Sequence, residues 1–372
     1  MSHGVPTEYW MVFLISWLGA LVSTPLFRRL AQALDITDRP SSRKVHDRPV
    51  PYLGGMAFHV ALSLPLLYVF IWAPHVLDAQ ISLPQLRTLY LAAAGFLLLG
   101  VWDDIQPIPP TVKLAVQAGL SVLLVGSGFT IDEMTSPFGG KIPLGWLSWG
   151  LSVFWILTIV NAINFIDGLD GLAAGVVFFA AVANFLIALH PWQNFICLIS
   201  LSLMGATLGF LPYNFSPARI FMGDAGSLYL GALLAGLSLV SNTKGATAMS
   251  LSLPLVILSI PLLDTVLTII RRGRRGFNFF TADREHLHHR LLQLGFTARQ
   301  VVLCLYGLSF LLSMSAVLAA QLPNQYTLLF IAVFLAAVGW GLAVFAAVER
   351  RVNLPGPESP SAGTDTKNPL PR

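Results

Sequence analysis

Charged residues are scarce in this chain. Only 11% of its 372 residues are charged, whereas soluble domains carry about 25%. Hydrophobic residues make up 55% of the chain and the mean hydropathy is +0.71. This composition excludes a water-soluble globular fold, and no nucleic-acid partner is expected of it.

Cysteine is nearly absent as well. The two cysteines, Cys197 and Cys304, both lie in apolar runs, and the chain contains no CxxC motif. A disulfide framework and a zinc site built on thiolates are therefore both disfavoured. The first apolar run has no basic residue before it, so it is not expected to be a cleaved signal peptide.

Long apolar runs fill most of the chain. A run of about 20 apolar residues spans a bilayer, so we predict about eleven transmembrane helices, with ten as the lower bound. The runs cover residues 9–27, 52–73, 88–102, 112–128, 147–163, 172–190, 194–213, 226–241, 249–270, 300–320 and 326–348. The predicted fold class is all-α integral membrane. Residues 1–351 form the membrane domain, and the proline-rich residues 352–372 form a disordered cytoplasmic tail.

The positions of basic residues predict the orientation. With the N-terminus placed outside, 19 of the 22 lysines and arginines fall in the loops and tail of one side. Cytoplasmic loops are enriched in these residues, so we predict an external N-terminus and a cytoplasmic C-terminus. Residues 129–146, with Pro137 and a Gly-Gly pair, are predicted to form an external hairpin.

The predicted cytoplasmic side also carries the first acidic motif. Asp103 and Asp104 end the third span in the sequence WDD. A carboxylate in the middle of a bilayer costs about 2.5–3.5 kcal/mol, so a pair at a span's end favours a divalent cation or a general base. A solvated helix end is the alternative. Lys113 begins the next span and either snorkels to the surface or contacts a phosphate.

Two further motifs combine polar residues with glycine. In NAINFIDGLDGL, Asn161, Asn164, Asp167 and Asp170 recur every third residue, which predicts a polar stripe on one helix. In PYNFSPARIFMGDAGS, Asp224 lies between two glycines, in a short loop just before a helix. Free backbone N–H groups at a helix start suit a phosphate or a metal–phosphate complex, and a simple turn is the alternative.

Two basic segments complete the pattern. The segment DREHLHHRLLQLG carries His286, His288, His289 and Arg290, whose donors and charge suit a pyrophosphate better than zinc. A solvated helix at the membrane surface is the alternative. The segment RKVHDRPVPYLGG, residues 43–55, either fixes topology and binds anionic lipid headgroups or belongs to the site.

All five motifs face one compartment, and together they predict phosphoryl transfer. Such catalysis rests mainly on positioning and charge neutralisation, which acidic, amide and basic groups supply. A transporter is the alternative from another class. It is disfavoured because a transporter gathers its ionisable residues near the middle of the membrane, and because the chain shows no internal repeat.

The motifs WDD, NAINFIDGLDG, FMGDAGS and EHLHHR, in this order, resemble those of the polyprenyl-phosphate N-acetylhexosamine-1-phosphate transferases. The resemblance covers about residues 9–348. It implies that undecaprenyl phosphate attacks a UDP-N-acetylhexosamine, releasing UMP, with Mg²⁺ as cofactor or Mn²⁺ in its place. It also implies the cytoplasmic membrane of a bacterium, with membrane lipids around the protein. Direct displacement and a covalent intermediate both stay open, as does a homodimer.

Motif matching implies residue roles. Asp224 and Asn164 match metal-site positions. Asp103 and Asp104 match an acidic pair that deprotonates or orients the lipid phosphate, and Asp167 is expected to be a site acid without a sharper role. The positions implied to bind substrate are Lys113 at the pyrophosphate, Asp170 and Asn214 at the nucleoside, Phe221 stacked on uracil, and His286, His288, His289 and Arg290 at the sugar and diphosphate.

The donor sugar is predicted from one interruption. Leu287 separates the histidines that are consecutive in the peptidoglycan branch of this family. The sequence therefore resembles the N-acetylglucosamine-1-phosphate branch, and so does the segment KVHDRPVPYLGG. We expect UDP-N-acetylglucosamine as donor and competition by tunicamycin-type inhibitors. UDP-MurNAc-pentapeptide and other UDP-N-acetylhexosamines are the alternatives.

Overall fold

A computed structural model describes residues 6–39, 48–77, 82–135, 141–189, 193–244 and 294–321, with a few isolated positions elsewhere. Within these ranges the chain is built mainly of α-helices. In chain order they are α1 (Thr7–Ala33), α2 (Gly54–Trp72), α3 (Leu83–Ile105), α4 (Pro110–Gly126), α5 (Leu147–Ile166), α6 (Leu172–Leu189), α7 (Asn194–Asn214), α8 (Gly223–Lys244) and α9 (Ala298–Gln321). A short 3-10 turn, Pro74–Val76, follows α2.

These helices match the predicted spans. Eight of the helices described are long and apolar enough to cross a membrane, and α4 is a shorter apolar helix of 17 residues. The chain is thus a multi-pass, largely α-helical membrane protein. The runs 249–270 and 326–348 fall almost entirely outside the described residues, as does the predicted tail 352–372. The count of eleven and the orientation stay predictions.

Helix α8 lies at the centre of the bundle. Of the apolar membrane-spanning segment of α8, 89% is buried inside the protein, whereas 33% of the corresponding segment of α1 is buried. It packs against α2, α3 and α5, while α1 packs against α2 and α7, and α6 packs against α7 and α9. The N-terminus of α8 is therefore enclosed by the ends of several helices, which is where the polar residues gather.

Small residues let the helices approach closely. Gly205 and Gly209 of α7 face the backbone of α1, where a side chain at either position would collide with the carbonyl of Phe13 or Trp17. This small-xxx-small spacing is a common way of packing helices in a membrane. Ser16 adds an interhelical hydrogen bond to the carbonyl of Ser202, at 2.6 Å.

Two small antiparallel ribbons interrupt the all-α pattern. Strands β3 (Glu133–Thr135) and β4 (Lys141–Pro143) pair with Met134 opposite Ile142, which confirms the hairpin predicted in residues 129–146. Strands β1 (Thr37–Asp38) and β2 (Val50–Pro51) pair with Thr37 opposite Pro51. The sequence did not predict this second ribbon, whose strands are only two residues long and are set by tertiary contacts.

Candidate active site

A cavity of about 830 Å³ opens at the N-terminal end of α8. It contains most of the site residues predicted in the described ranges. Its lining includes Asp104, Asn164, Asp167, Asp170, Asn214, Phe221 and Asp224 from the predicted set. It also includes Arg28, Gln32, Asp38, Arg48, Tyr52 and Arg219, which the sequence analysis did not assign to the site.

The first turn of α8 is held by Asp104 from the end of α3. The backbone N–H groups of Asp224 and Ala225 donate to the two carboxylate oxygens of Asp104, at 2.8 and 3.1 Å. The first N–H groups of a helix have no partner within it, and a carboxylate there also faces the positive end of the helix dipole. Gly223 adopts φ +68°, and a Cβ at this position would collide with the Asp104 carboxylate.

Asp224 lies in this first turn, which corrects the expectation that it precedes the helix. The helix begins at Gly223, because Asp104 caps it from another chain segment rather than from within the loop. The Asp224 carboxylate accepts a hydrogen bond from the Asn164 amide at 2.7 Å and pairs with Lys113. Asn164 also donates to the hydroxyl of Ser227, at 2.9 Å, so two residues of α8 orient its amide.

Lys113 joins the acidic pair to Asp224. Its ammonium group lies 2.8 Å from a carboxylate oxygen of Asp103 and also contacts the Asp224 carboxylate. The other oxygen of Asp103 accepts the backbone N–H of Ile108 at 2.7 Å, which fixes the α3–α4 connection. Lys113 is thus in direct contact with Asp103 of the WDD pair and with Asp224.

The predicted polar stripe of NAINFIDGLDG is only partly helical. Helix α5 ends at Ile166, so Asn161 and Asn164 lie on the helix, while Asp167 and Asp170 lie in the α5–α6 turn (residues 167–171). Gly171 adopts φ +82°, a conformation that favours glycine and redirects the chain. The turn brings both aspartates to the cavity, which a continuous helix would not do.

Asp167 has a strongly perturbed environment and lies outside the membrane spans. Burial raises its pKa well above the usual value, and the negative charges of Asp224, Asp104 and Asp170 raise it further. In the part of the chain described, no hydrogen-bond partner of its carboxylate is found. The sequence analysis gave Asp167 no specific role. Its environment depends on burial and on nearby carboxylates, two of which come from distant parts of the chain.

The α7–α8 loop (residues 215–222) forms the opposite wall of the cavity. Asp170 accepts the backbone N–H of Ala218 at 2.9 Å, and the Asn214 amide donates to the carbonyl of Ile220 at 3.0 Å. The amide oxygen of Asn214 is buried and has no protein partner in the described ranges. Asn214 therefore places a buried acceptor, unpaired among the described residues, in the wall of the cavity.

The segment before α2 docks directly on this loop. The N–H of Phe221 donates to the carbonyl of Pro51 at 2.9 Å, and the N–H of Gly54 donates to the carbonyl of Phe221 at 3.1 Å. The Tyr52 and Phe221 rings lie 6.1 Å apart. The segment PVPYLGG, for which a topological role was the alternative, is thus part of the site wall.

Tyr52 links this segment to the first ribbon. Its hydroxyl is hydrogen-bonded to Asp38, and burial followed by the Asp38 charge raises the pKa of Tyr52 above its usual range. The phenol therefore stays neutral. Residues 40–47, which include Arg43, Lys44, His46 and Asp47, lie outside the described residues, as do His286, His288, His289 and Arg290.

Helix α9 holds two of the site segments from the other side. The Tyr306 hydroxyl donates to the carbonyl of Gly171 at 2.6 Å, and Arg299 donates to the carbonyl of Ser216 at 2.9 Å. The first contact fixes the α5–α6 turn and the second fixes the α7–α8 loop. Neither residue belongs to a recognisable motif, so the sequence carried no signal for them.

The residues present suit a magnesium ion. Five carboxylates line the cavity, and burial together with the negative charges of three of them raises the pKa of the Asp167 carboxyl group. Within the described ranges no three histidine, cysteine or carboxylate side chains form a ready-made cage. Mg²⁺ rarely uses such a cage, because it is usually held by one or two carboxylates, waters and substrate phosphates.

Comparison with known proteins identifies a family and relatives of this chain. The profile of glycosyl transferase family 4 matches residues 86–242, which include WDD and FMGD. A Bacillus subtilis protein named "Probable undecaprenyl-phosphate N-acetylglucosaminyl 1-phosphate transferase" is 37% identical over 82% of this chain and 84% of its own length.

Two further relatives show similar coverage. A decaprenyl-phosphate N-acetylglucosaminephosphotransferase of Mycobacterium leprae is 34% identical, over 82% of each chain. An undecaprenyl-phosphate alpha-N-acetylglucosaminyl 1-phosphate transferase of Escherichia coli O157:H7 is 30% identical, over 85% of this chain and 84% of its own. The similarity thus extends well beyond the motifs, across most of the membrane domain.

Proposed function

The chain belongs to glycosyl transferase family 4, and from this premise we propose that it transfers N-acetylglucosamine 1-phosphate from UDP-N-acetylglucosamine to undecaprenyl phosphate. The products are undecaprenyl-diphospho-N-acetylglucosamine and UMP. The relatives named above act on prenyl phosphates and carry N-acetylglucosamine in their names. This supports the predicted donor over UDP-MurNAc-pentapeptide.

One observation carries the proposal. A cavity at the end of a membrane helix bundle is lined by carboxylates, one of which is paired with the Lys113 ammonium group, and by the aromatic residue Phe221. A water-soluble nucleotide sugar requires polar and aromatic contacts, and a lipid phosphate requires access from the membrane. A cavity at the mouth of the bundle can serve both substrates.

The reaction forms one P–O bond and breaks another. A phosphate oxygen of the lipid attacks the β-phosphorus of the donor, and the bond from that phosphorus to the bridging oxygen breaks, so that UMP leaves. The protein's work is to align the two phosphates and to balance their charge. Lys113 lies beside Asp103 and Asp224, where its positive charge can offset the negative charge of the transferred phosphate.

Asp104 and Asp167 are suited to different tasks. Both oxygens of Asp104 accept backbone N–H groups of α8, so this residue positions the first turn and the Asp224 carboxylate with it. Asp167 lines the cavity and its carboxylate accepts no hydrogen bond within the described ranges. We assign Asp167 as the group that accepts the proton when the lipid phosphate enters in its protonated form. A raised carboxyl pKa, as found at Asp167, is typical of such a general base.

Asp224 and Asn164 are the residues proposed to hold Mg²⁺, or Mn²⁺ in its place. The bound ion would neutralise negative charge on the diphosphate of the donor. The protein's own part is to keep the Asp224 carboxylate oriented, which the amide of Asn164 and the Lys113 ammonium do here. The His286–Arg290 segment is proposed to hold the sugar and diphosphate.

The membrane arrangement follows the charge asymmetry. We propose eleven spans in the bacterial cytoplasmic membrane, with the cavity facing the cytoplasm, where UDP-sugars are made. The 19 basic residues placed on one side by the sequence support this orientation.

A donor panel tests the proposal. Purified protein in detergent is incubated with undecaprenyl phosphate, Mg²⁺ and either UDP-N-acetylglucosamine, UDP-N-acetylgalactosamine or UDP-MurNAc-pentapeptide, and both UMP and the lipid product are measured. We expect turnover with UDP-N-acetylglucosamine and little with the pentapeptide donor. A preference for another donor would replace the sugar assignment, and absence of turnover with every donor would refute the reaction.

A further inference from the structure

The cavity wall formed by α1 carries an arginine that has no partner among the described residues. Arg28 lies in the last turns of α1, lines the cavity and is half-buried. Its Nε is buried, and within the described ranges the guanidinium forms no hydrogen bond or ion pair. Since a buried charge is costly unless it is paired, this group requires an anion that the described protein segments do not supply.

A second arginine lines the same cavity. Arg219 lies in the α7–α8 loop, two residues before Phe221, and its side chain is exposed. Its backbone N–H donates to the carbonyl of Tyr213 at 2.8 Å, so the loop is fixed at this point. No hydrogen bond or ion pair of its guanidinium is found among the residues described. Two guanidinium groups on one cavity thus have no described counter-ion.

The lysine near the acidic residues is differently placed, and Arg48, which also lines the cavity, has an interaction of its own. Lys113 is already paired with Asp103 and Asp224, at the side formed by α3, α4 and α8. Arg28 and Arg219 belong instead to the side formed by α1 and the α7–α8 loop, which also carries Asn214 and Phe221. The unpaired positive charge therefore lies beside the predicted nucleoside position rather than beside the acidic pair.

We propose that Arg28, assisted by Arg219, binds the phosphate of the nucleotide half of the donor, which is the phosphate that leaves with UMP. This inference rests on the proposed function. Guanidinium groups bind phosphate through two parallel N–H···O bonds, a geometry that an ammonium group does not offer. The arrangement gives the two phosphates of the donor separate cationic contacts, with Arg28 on the phosphate next to the nucleoside.

The test compares two ligands that differ by this phosphate. Binding of UMP and of uridine to the full-length protein is measured by calorimetry, for wild type, Arg28→Ala and Arg219→Ala. We expect Arg28→Ala to weaken UMP binding by about tenfold or more, as for loss of a hydrogen bond to a charged group, with uridine binding changed by less than about twofold. Arg219→Ala should weaken UMP in the same selective way, by a smaller factor.

Arg29→Ala is the matched control. Arg29 is the neighbouring residue of α1, carries the same charge, is exposed and does not line the cavity. Its replacement should leave both affinities unchanged. If Arg28→Ala does not yield folded protein, Arg28→Lys is tested instead. This variant keeps the positive charge but lacks the planar guanidinium group with its two parallel donors. It too should weaken UMP binding selectively.

Three outcomes would overturn the inference. They are unchanged UMP affinity in the Arg28 variant, equal losses of UMP and uridine, or a raised KM for the lipid phosphate with UMP binding intact. The last would assign Arg28 to the acceptor. If wild type transfers the sugar phosphate while Arg28→Ala keeps UMP affinity, only this inference fails. If wild type neither transfers nor binds UMP, the proposed function fails with it.

Discussion

The acidic residues of the cavity differ in what surrounds each carboxylate. Asp104 and Asp170 accept backbone N–H groups and so hold other segments in place. Asp224 contacts an amide and an ammonium group, and among the described residues Asp167 contacts neither. Substitutions of these carboxylates should therefore have different effects. Two such substitutions are considered at this scale, followed by one of the aromatic residue Phe221.

The first concerns Asp224. Asp224→Asn keeps the shape of the side chain and removes the charge that we assign to the metal. We expect kcat to fall by about 10²-fold or more, as when an electrostatic contact to the reacting groups is lost, and wild type to lose activity when EDTA is added. Turnover is measured as UMP release. Asp132→Asn is the control, since Asp132 bonds to Ser148 beside the β3–β4 hairpin, away from the cavity.

Full activity of Asp224→Asn in the presence of EDTA would remove this residue from the metal site. Equal losses in Asp224→Asn and Asp132→Asn would show a general loss of folded protein instead.

The second concerns the pH dependence at Asp167. An acid whose pKa is raised on folding stabilises the fold while it is protonated, and this contribution is lost as the pH rises from the unfolded value, about 3.9, through the folded one. Without divalent cations the Tm should therefore fall as the pH rises through this window. Asp167→Asn keeps a neutral group, so its Tm should exceed that of wild type by a margin that grows with pH. Parallel Tm curves would contradict the assignment.

The third concerns Phe221. Stacking of a base on an aromatic ring contributes about 1–3 kcal/mol, so Phe221→Ala should raise the KM for the nucleotide sugar by about tenfold. Metal dependence should stay the same. Phe154→Ala is the control, because Phe154 is 64% exposed on the outside of the bundle. An unchanged KM would exclude Phe221 from the donor site, and tunicamycin-type inhibitors should lose affinity in the same variant.

At the scale of elements, α9 positions two loops without lining the reacting groups. Tyr306→Phe removes the hydroxyl that bonds to Gly171 and keeps the ring that packs against Gly175. A hydrogen bond contributes about 0.5–1.5 kcal/mol, so kcat/KM should fall between about twofold and tenfold. The Tm should change little.

Tyr213→Phe is the matched control for this variant. Tyr213 also donates to a backbone carbonyl, that of Leu21 on α1 at 3.0 Å. It should keep kcat/KM near the wild-type value. If both variants lose activity equally, the Tyr306 hydroxyl has no particular role at the α5–α6 turn.

The helices were predictable where a continuous apolar run of the sequence determines them. Hydrophobic runs predicted all nine helices described, because an uninterrupted apolar segment in a membrane must form a helix to satisfy its backbone. The end of α5 was not predicted, since an Asn-Asp spacing of three is equally compatible with a longer helix. The docking of Pro51 on Phe221 was also missed, because it joins segments 170 residues apart through backbone groups that leave no pattern in the sequence.

The site residues follow the same division. Asp104, Asn164 and Asp224 stand in recognisable motifs and do meet in one cavity. Arg28 stands at the end of an apolar helix, where an arginine is expected for topology alone. Only the folded structure shows that Arg28 also lines the cavity.

For the whole molecule, the remaining prediction is orientation. Native Cys304 is exposed and is first replaced by serine, while Cys197 is buried. Single cysteines are then introduced as Arg48→Cys and Arg290→Cys at the predicted cytoplasmic face, and as Trp146→Cys at the predicted external face. In intact cells a membrane-impermeant maleimide should label only the cysteine at position 146. Labelling at position 48 or 290 would show that the predicted orientation is wrong.

The contacts of α9 also bear on how the protein is made. Ribosomes complete the chain from its N-terminus, so every carboxylate of the cavity exists once residue 224 has been added. Arg299 and Tyr306, which fasten the α7–α8 loop and the α5–α6 turn, are synthesised some 80 residues later. A chain still emerging from the translocon thus has its acidic groups in the membrane without the helix that fixes their spacing. Insertion of α9 is therefore the biosynthetic step that adds these two contacts, and a chain released before it would carry the cavity carboxylates without them.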